Sequence, residues 1–211
     1  MVSGGSQCYT DSYLNKNDSD KERTGMHYSA ITQFWFEEIK PDKWFEKDED
    51  FDSILSKKFS NQVKLALANK LDYWKKNLES CISLILLLDQ FTRNIYRDKA
   101  KAFSGDLKAL DLSLHAIKND YLQCENNAWR HFILMPMMHS ENLAIQEMSL
   151  PLFKKYTNQR TFEFAKKHHD IICKFNRFPH RNQILGRKSS NEEPGSLKKS
   201  CSSFEDFLPS I

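Results

Sequence analysis

The chain has 211 residues, enough for one large domain or two small ones, and an apolar fraction of 40% is enough to build a core. Its 31 Lys and Arg against 28 Asp and Glu leave a formal charge of +3, too slight an excess to argue for a nucleic-acid partner, which calls for a marked basic face. Six glycines and six prolines are too few for an all-β chain rich in tight turns, so the composition points to helices.

Residues 1–25 are rich in Ser, Asn, Asp, Lys and Gly and are expected to be a disordered extension. They lack the basic start and apolar run of a signal peptide, and Met26 is a candidate alternative start. From there the period is helical. A first helix is expected over 29–39, stopped by Pro41, and a second over 48–71 with Phe51, Ile54, Leu55 and Phe59 on one side. A third spans 78–97. Ile82 and Leu84 to Leu88 make its first half apolar all round, so it should be surrounded by protein. That run is far too short to cross a bilayer, and no membrane partner is expected.

The second half of this third helix carries Asp89, Gln90, Arg93 and Arg97 on one side. The simpler reading is that the helix surfaces there, with Asp89 and Arg93 as an exposed i,i+4 pair. The alternative is that its polar end contributes to a pocket. A fourth helix over 106–118 shows a stripe of Leu107, Leu110, Leu114 and Ile117. A largely apolar fifth segment, 125–150, contains Pro136, which should kink it or split it in two. The sixth helix covers 161–176, and a short turn or helix follows Pro179. No segment has a convincing period of two, so no sheet is expected. The helical domain is placed at 26–190, followed by a mostly flexible tail over 191–211. Cys8, Cys81, Cys124, Cys173 and Cys201 are odd in number and far apart. That favours free thiols in a reducing, cytoplasmic setting over a disulfide framework or a cysteine zinc site.

Candidate chemistry gathers in a few strings. His139, Glu141, His168, Asp170 and His180 are all metal-ligand types. On a regular helix, however, His139 and Glu141 lie about 200° apart, as do His168 and Asp170, so neither pair chelates one ion. With no H-E-x-x-H motif no metal is expected, the alternative being a site assembled across helices from His139, His168 and His180, and the residues name no particular cofactor. His168 sits in the apolar face of Phe164, Ala165, Ile171, Ile172 and Phe175. There it is either a neutral core histidine, its pKa lowered by burial, or the wall of a pocket. After Pro179, the donors His180, Arg181 and Asn182 stand near a helix start, with Arg177 and Arg187 on either side. Such arginines suit a carboxylate or phosphate. They serve equally well to pair with Asp89 or Glu141 and staple the C-terminal segment to the bundle. Ser140 follows His139 directly, but there is no G-x-S-x-G and no glycine-rich phosphate loop.

FWFEEI (Phe34–Ile39), KWFEKDEDFD (Lys43–Asp52), LILLLDQFTRNIYR (Leu84–Arg97), HSENLAIQEMS (His139–Ser149) and HHDIICKFNRFPHRNQILGR (His168–Arg187) together resemble the bacterial domain of unknown function 924 family, over roughly Ile31 to Ser190. The resemblance implies a single all-helical domain of antiparallel helices with tetratricopeptide-like topology, and it implies no particular activity. The family's polar motif positions fall on Asp89, Gln90, Arg93, Asn94, His139, Ser140, Glu141, His168, Asp170, Arg177, His180, Arg181, Asn182, Gly186 and Arg187. The chain departs from the pattern at Thr92, Met137, Met138, His169 and Asn176, where the family carries Pro, Phe, Glu, Arg and Gly.

The expected site is a polar pocket where the ends of the third, sixth and seventh helices meet. Its binding residues are Asp89, Arg93, Asn94, His139, Glu141, His168, Arg177, His180, Arg181 and Asn182. Its ligand is a small carboxylate or phosphate compound. Two other readings stand beside it. In one, a peptide binds a helical groove and the Arg/His cluster is structural; in the other, His139 or His180 is the general base of an enzyme.

Overall fold

The computed structural model describes residues 25–193. Every regular element among them is helical, as the period predicts. The disordered extension expected over 1–25 lies outside the described residues except for Gly25, as does the tail from 194 onward.

α1 (Ser29–Gln33) runs directly into a π-helical turn (Phe34–Glu38). A 3-10 turn (Pro41–Phe45) then folds Trp44 back so that its indole N–H donates to the Trp35 carbonyl at 2.9 Å. α2 (Glu49–Leu67) starts at Asp48, whose carboxylate accepts from the Phe51 amide at 3.0 Å. Glu49, Asp50 and Asp52 occupy its first turn, where the helix dipole favours negative charge. α3 (Leu78–Ile85) is the buried rod expected: Ile82 and Leu84 to Leu88 are at most 2% exposed.

The rod does not stay regular to Arg97. It passes into a π turn (Leu86–Phe91) and then into the short α4 (Thr92–Ile95). The Thr92 hydroxyl donates to the Leu88 carbonyl at 2.8 Å where the pitch changes. α5 (Asp106–Lys118) also departs from its apolar stripe. Its buried face is Ala109, Leu112, Ser113 and Ala116, while Leu107 is 79% exposed. Small residues let α5 close on its neighbour α6 (Asn127–Met138), and the Ser113 hydroxyl donates to the Ile133 carbonyl at 2.6 Å.

The expected break of the fifth segment occurs, but not at Pro136, which lies inside α6. It falls at His139–Asn142, because the Asn142 side chain accepts from the Ala144 and Ile145 amides and starts α7 (Leu143–Tyr156) there. α8 (Gln159–Phe175) is capped the same way by Asn158 and ends at Asn176, which adopts a left-handed φ of 53°. A final 3-10 turn covers Pro179–Arg181.

The aromatic core centres on Trp35, whose ring lies 5.3 Å from Phe91 and 5.7 Å from Phe132. α5, α6, α7 and α8 pack in succession, and α3 is packed against α1, α5 and α6. The ordered fold reaches past residue 190. Glu193 is 1% exposed and receives Arg177, Asn182 and the Ser190 amide.

Candidate functional site

The π turn, the end of α6, the middle of α8 and the Pro179–Arg181 turn meet around a cavity of about 300 Å³. Gln90, Arg93, Asn94 and Arg97 come from the irregular end of the rod, Met135, Met138 and His139 from α6, and His168 from α8. His180, Arg181, Phe103 and the segment Trp44–Glu46 complete the wall. Arg93, Asn94, His139, His168, His180 and Arg181 of the expected set therefore share one concavity.

Asp89 lies outside the lining. It is fully buried, so the exposed i,i+4 pair expected for it does not exist. One carboxylate oxygen takes the His139 Nδ1 at 2.8 Å and lies 3.3 Å from the Arg93 guanidinium; the other accepts from the Gln90 amide. Burial would raise its pKa, but Arg93, His139 and Gln90 outweigh that and hold the carboxyl below its usual range. Asp106, at the start of α5, bridges two cations: Arg93 and Arg181 each lie 3.0 Å from one of its oxygens. Arg181 is also held between the rings of Phe103 and Phe178, at 4.7 and 4.6 Å, and donates to the His139 carbonyl. Burial, with Arg93 nearby, pushes its pKa down to about 10, still charged at neutral pH. Arg97 is gripped by both oxygens of Asp52, which also accepts from Asn94.

Glu141, Arg177 and Asn182 of the expected set do not reach this cavity. They bond to the C-terminal segment instead and staple it down. Glu141 accepts from Arg187 at 2.7 and 3.0 Å and from the Phe178 amide. Arg177 pairs with Glu193, and Asn182 donates to Glu193 and Ser189. The cations at the end of the C-terminal string are thus divided. His180 and Arg181 face the cavity wall, while Arg177 and Arg187 serve the staple. Glu141 instead borders a second depression with Ser140, Leu107 and Leu185, which His139 and Arg181 also reach.

The imidazoles are held neutral. Burial pushes His168 down to about 3 against an opposing hydrogen bond to the Phe164 carbonyl. Burial also lowers His139, with Arg93 and Arg181 adding to the effect and Asp89 opposing it. His180, exposed at the rim, is lowered in the same direction by partial burial and by Arg181. The His139 and His168 ring centres are 6.4 Å apart, and among the described residues no group of three His, Cys, Asp or Glu is placed to hold a metal ion.

Sequence reasoning missed Asp106 and Asp52. They lie 75 and 45 residues from the arginines they neutralise, Arg181 and Arg97, and no spacing rule links such partners. It also missed the aromatic wall of Trp44, Phe45 and Phe103. One juxtaposition was legible in the sequence: His169 and Cys173, four apart on α8, share an edge of the helix and bring Sγ within 3.4 Å of Nε2.

These features define an all-helical protein with a cavity lined by imidazoles, arginines and aromatic rings at the irregular end of its central rod. The chain belongs to the family described as bacterial protein of unknown function, DUF924, whose model matches residues 31–200. A solved structure of a protein of unknown function from Agrobacterium tumefaciens is 35% identical, with a TM-score of 0.77 over 82% of this chain and 97% of that one. No curated protein matches. No helix among the described residues is long and apolar enough to cross a membrane.

Proposed function

We propose that the cavity binds a small carboxylate or phosphate compound. The observation that carries this reading is the juxtaposition of Arg93 and Arg181, joined through Asp106, with three imidazoles on the wall of one concavity. Each guanidinium already has a carboxylate partner, so the site holds little excess positive charge. The anion is received by directed N–H donors of arginine, asparagine and histidine rather than by a net field. Trp44, Phe45, Phe103 and the two methionines supply apolar contact for the rest of the ligand. A tetratricopeptide-like stacking of the helix pairs belongs to the same proposal and is supported by the successive packing of α5 to α8. A reducing, cytoplasmic setting is supported by the unpaired thiols of Cys81, Cys124 and Cys173.

The test is thermal unfolding in the presence of inorganic phosphate, citrate and a panel of small dicarboxylates. The expected result is a ligand-dependent rise in Tm that is lost in His180→Ala and Arg181→Ala. An unchanged Tm across the panel, or an equal rise in both variants, overturns the reading.

A further inference from the structure

We propose that Asp89 and His139 form a general-base dyad, with His139 Nε2 as the base, that hydrolyses a small acyl ester held in the cavity. The proposal rests on the ligand-binding reading for the place of the substrate, and adds chemistry to it. Its geometry is local. Asp89 is fully buried, in an environment dominated by Arg93, and its Oδ1 lies 2.8 Å from His139 Nδ1. A carboxylate accepts only, so Nδ1 carries the proton and donates it to Asp89. The other ring nitrogen, Nε2, is thereby fixed as the unprotonated acceptor. Among the described residues no protein group bonds Nε2, and His139 lines the cavity. Asp89 cannot swing away, because Gln90 donates to its second oxygen and Arg93 braces the first.

The lining contains no Ser, Thr or Cys side chain. Water is accordingly the attacking group assigned to this cavity. His139 Nε2 takes one proton from water as the water oxygen forms a bond to the acyl carbon. The carbonyl electron pair moves onto oxygen, and the resulting oxyanion is met by guanidinium N–H groups of Arg93 or Arg181 on the same wall. The pair then returns, the C–O bond to the leaving alkoxide breaks, and the proton on His139 passes to that oxygen. Ester and water give acid and alcohol, and the imidazole is regenerated neutral. His139 is the catalytic residue, and Asp89 is its positioning residue.

The experiment uses p-nitrophenyl acetate with the full chain and follows nitrophenolate release. The wild type should turn over more than once, and His139→Gln should lose about 100-fold in kcat/KM, the usual contribution of a positioned base. Asp89→Asn should lower kcat about 10-fold or more with little change in KM, and should alter the pH profile, since the tautomer is no longer imposed. If Asp89→Asn does not fold, rescue decides. In His139→Gly, added imidazole should restore turnover above the His139→Gln background, and 1-methylimidazole, which has no N–H for Asp89, should not. A wild-type rate equal to that of His139→Gln, or equal rescue by both imidazoles, overturns the dyad. The ligand panel separates the two readings. A Tm rise with phosphate or dicarboxylate but no His139-dependent hydrolysis sinks the dyad alone, and hydrolysis without any Tm rise sinks the anion reading alone.

Discussion

Asp106 shows how much of this site hangs on one side chain. Its two oxygens are divided between Arg93 and Arg181, each at 3.0 Å, and both arginines are largely buried. Removing one partner of a buried ion pair leaves charge in a medium that solvates it poorly, typically at a cost of about 3–5 kcal/mol. Asp106→Ala should therefore unfold at markedly lower urea concentration, and a midpoint unchanged from wild type would show that the two arginines reach water. Gly105, immediately before it, is constrained for a steric reason. A Cβ there would stand 2.1 Å from the Leu88 carbonyl oxygen, and the obstacle is backbone in the π turn rather than a movable side chain. Gly105→Ala should cost roughly 2 kcal/mol or more as α5 is pushed off the rod, again read by urea unfolding.

At the scale of elements, the helical period placed several starts within two residues but not those of α4 and α7, and the signal it left unused was a recurring asparagine. Asn77, Asn126, Asn142 and Asn158 each accept from an amide in the first turn of the following helix. Asn142→Ala should cost about 1 kcal/mol and fray the first turn of α7, visible as faster amide hydrogen exchange at Ala144 and Ile145. The apolar rod from Ile82 to Leu88 was legible because its pattern admits no wet face. Its π turn was not, since a one-residue change of pitch leaves no mark in a run of leucines. The candidate site divides along the same line. Residues near a composition signal, such as His168 on its apolar face or the cluster after Pro179, could be named from the sequence. Which arginine faced the cavity and which faced the tail depended on the turn at Pro179–Arg181 and on Glu193 behind it. The stripe through Leu107 misled because the closer approach of α5 to α6 selects Ala109, Ser113 and Ala116 instead.

For the whole molecule, the buried imidazoles couple stability to pH. His131 is pushed down to about 4 and His168 to about 3, in both cases first by burial. In the unfolded chain each histidine takes its proton near the ordinary value of about 6.5. Between that value and the folded one, the unfolded state binds more protons than the native state, so stability falls as pH falls. The stability is fully present above about pH 6.5. It erodes by about 1.4 kcal/mol per pH unit for each such histidine, and the erosion continues until the folded-state pKa is reached. The carboxylates held below their usual range, Asp89 and Glu141, act in the same direction only at lower pH, near and below ordinary carboxylate values. The interval from pH 6.5 to 5 therefore belongs to the histidines. Urea unfolding at steps across it should give a steadily falling free energy. His131→Phe, which keeps a ring against Phe45 and Phe132, should give a flatter line. A stability independent of pH over this interval would mean that these rings are already solvated in the native state. A bound anion adds to the linkage with a sign of its own, because it favours the charged form of His139 and His180 on the cavity wall. The rise in Tm produced by sulfate, whose charge is constant over this range, should consequently be larger at pH 5.5 than at pH 7.5, and this difference should shrink in His180→Ala.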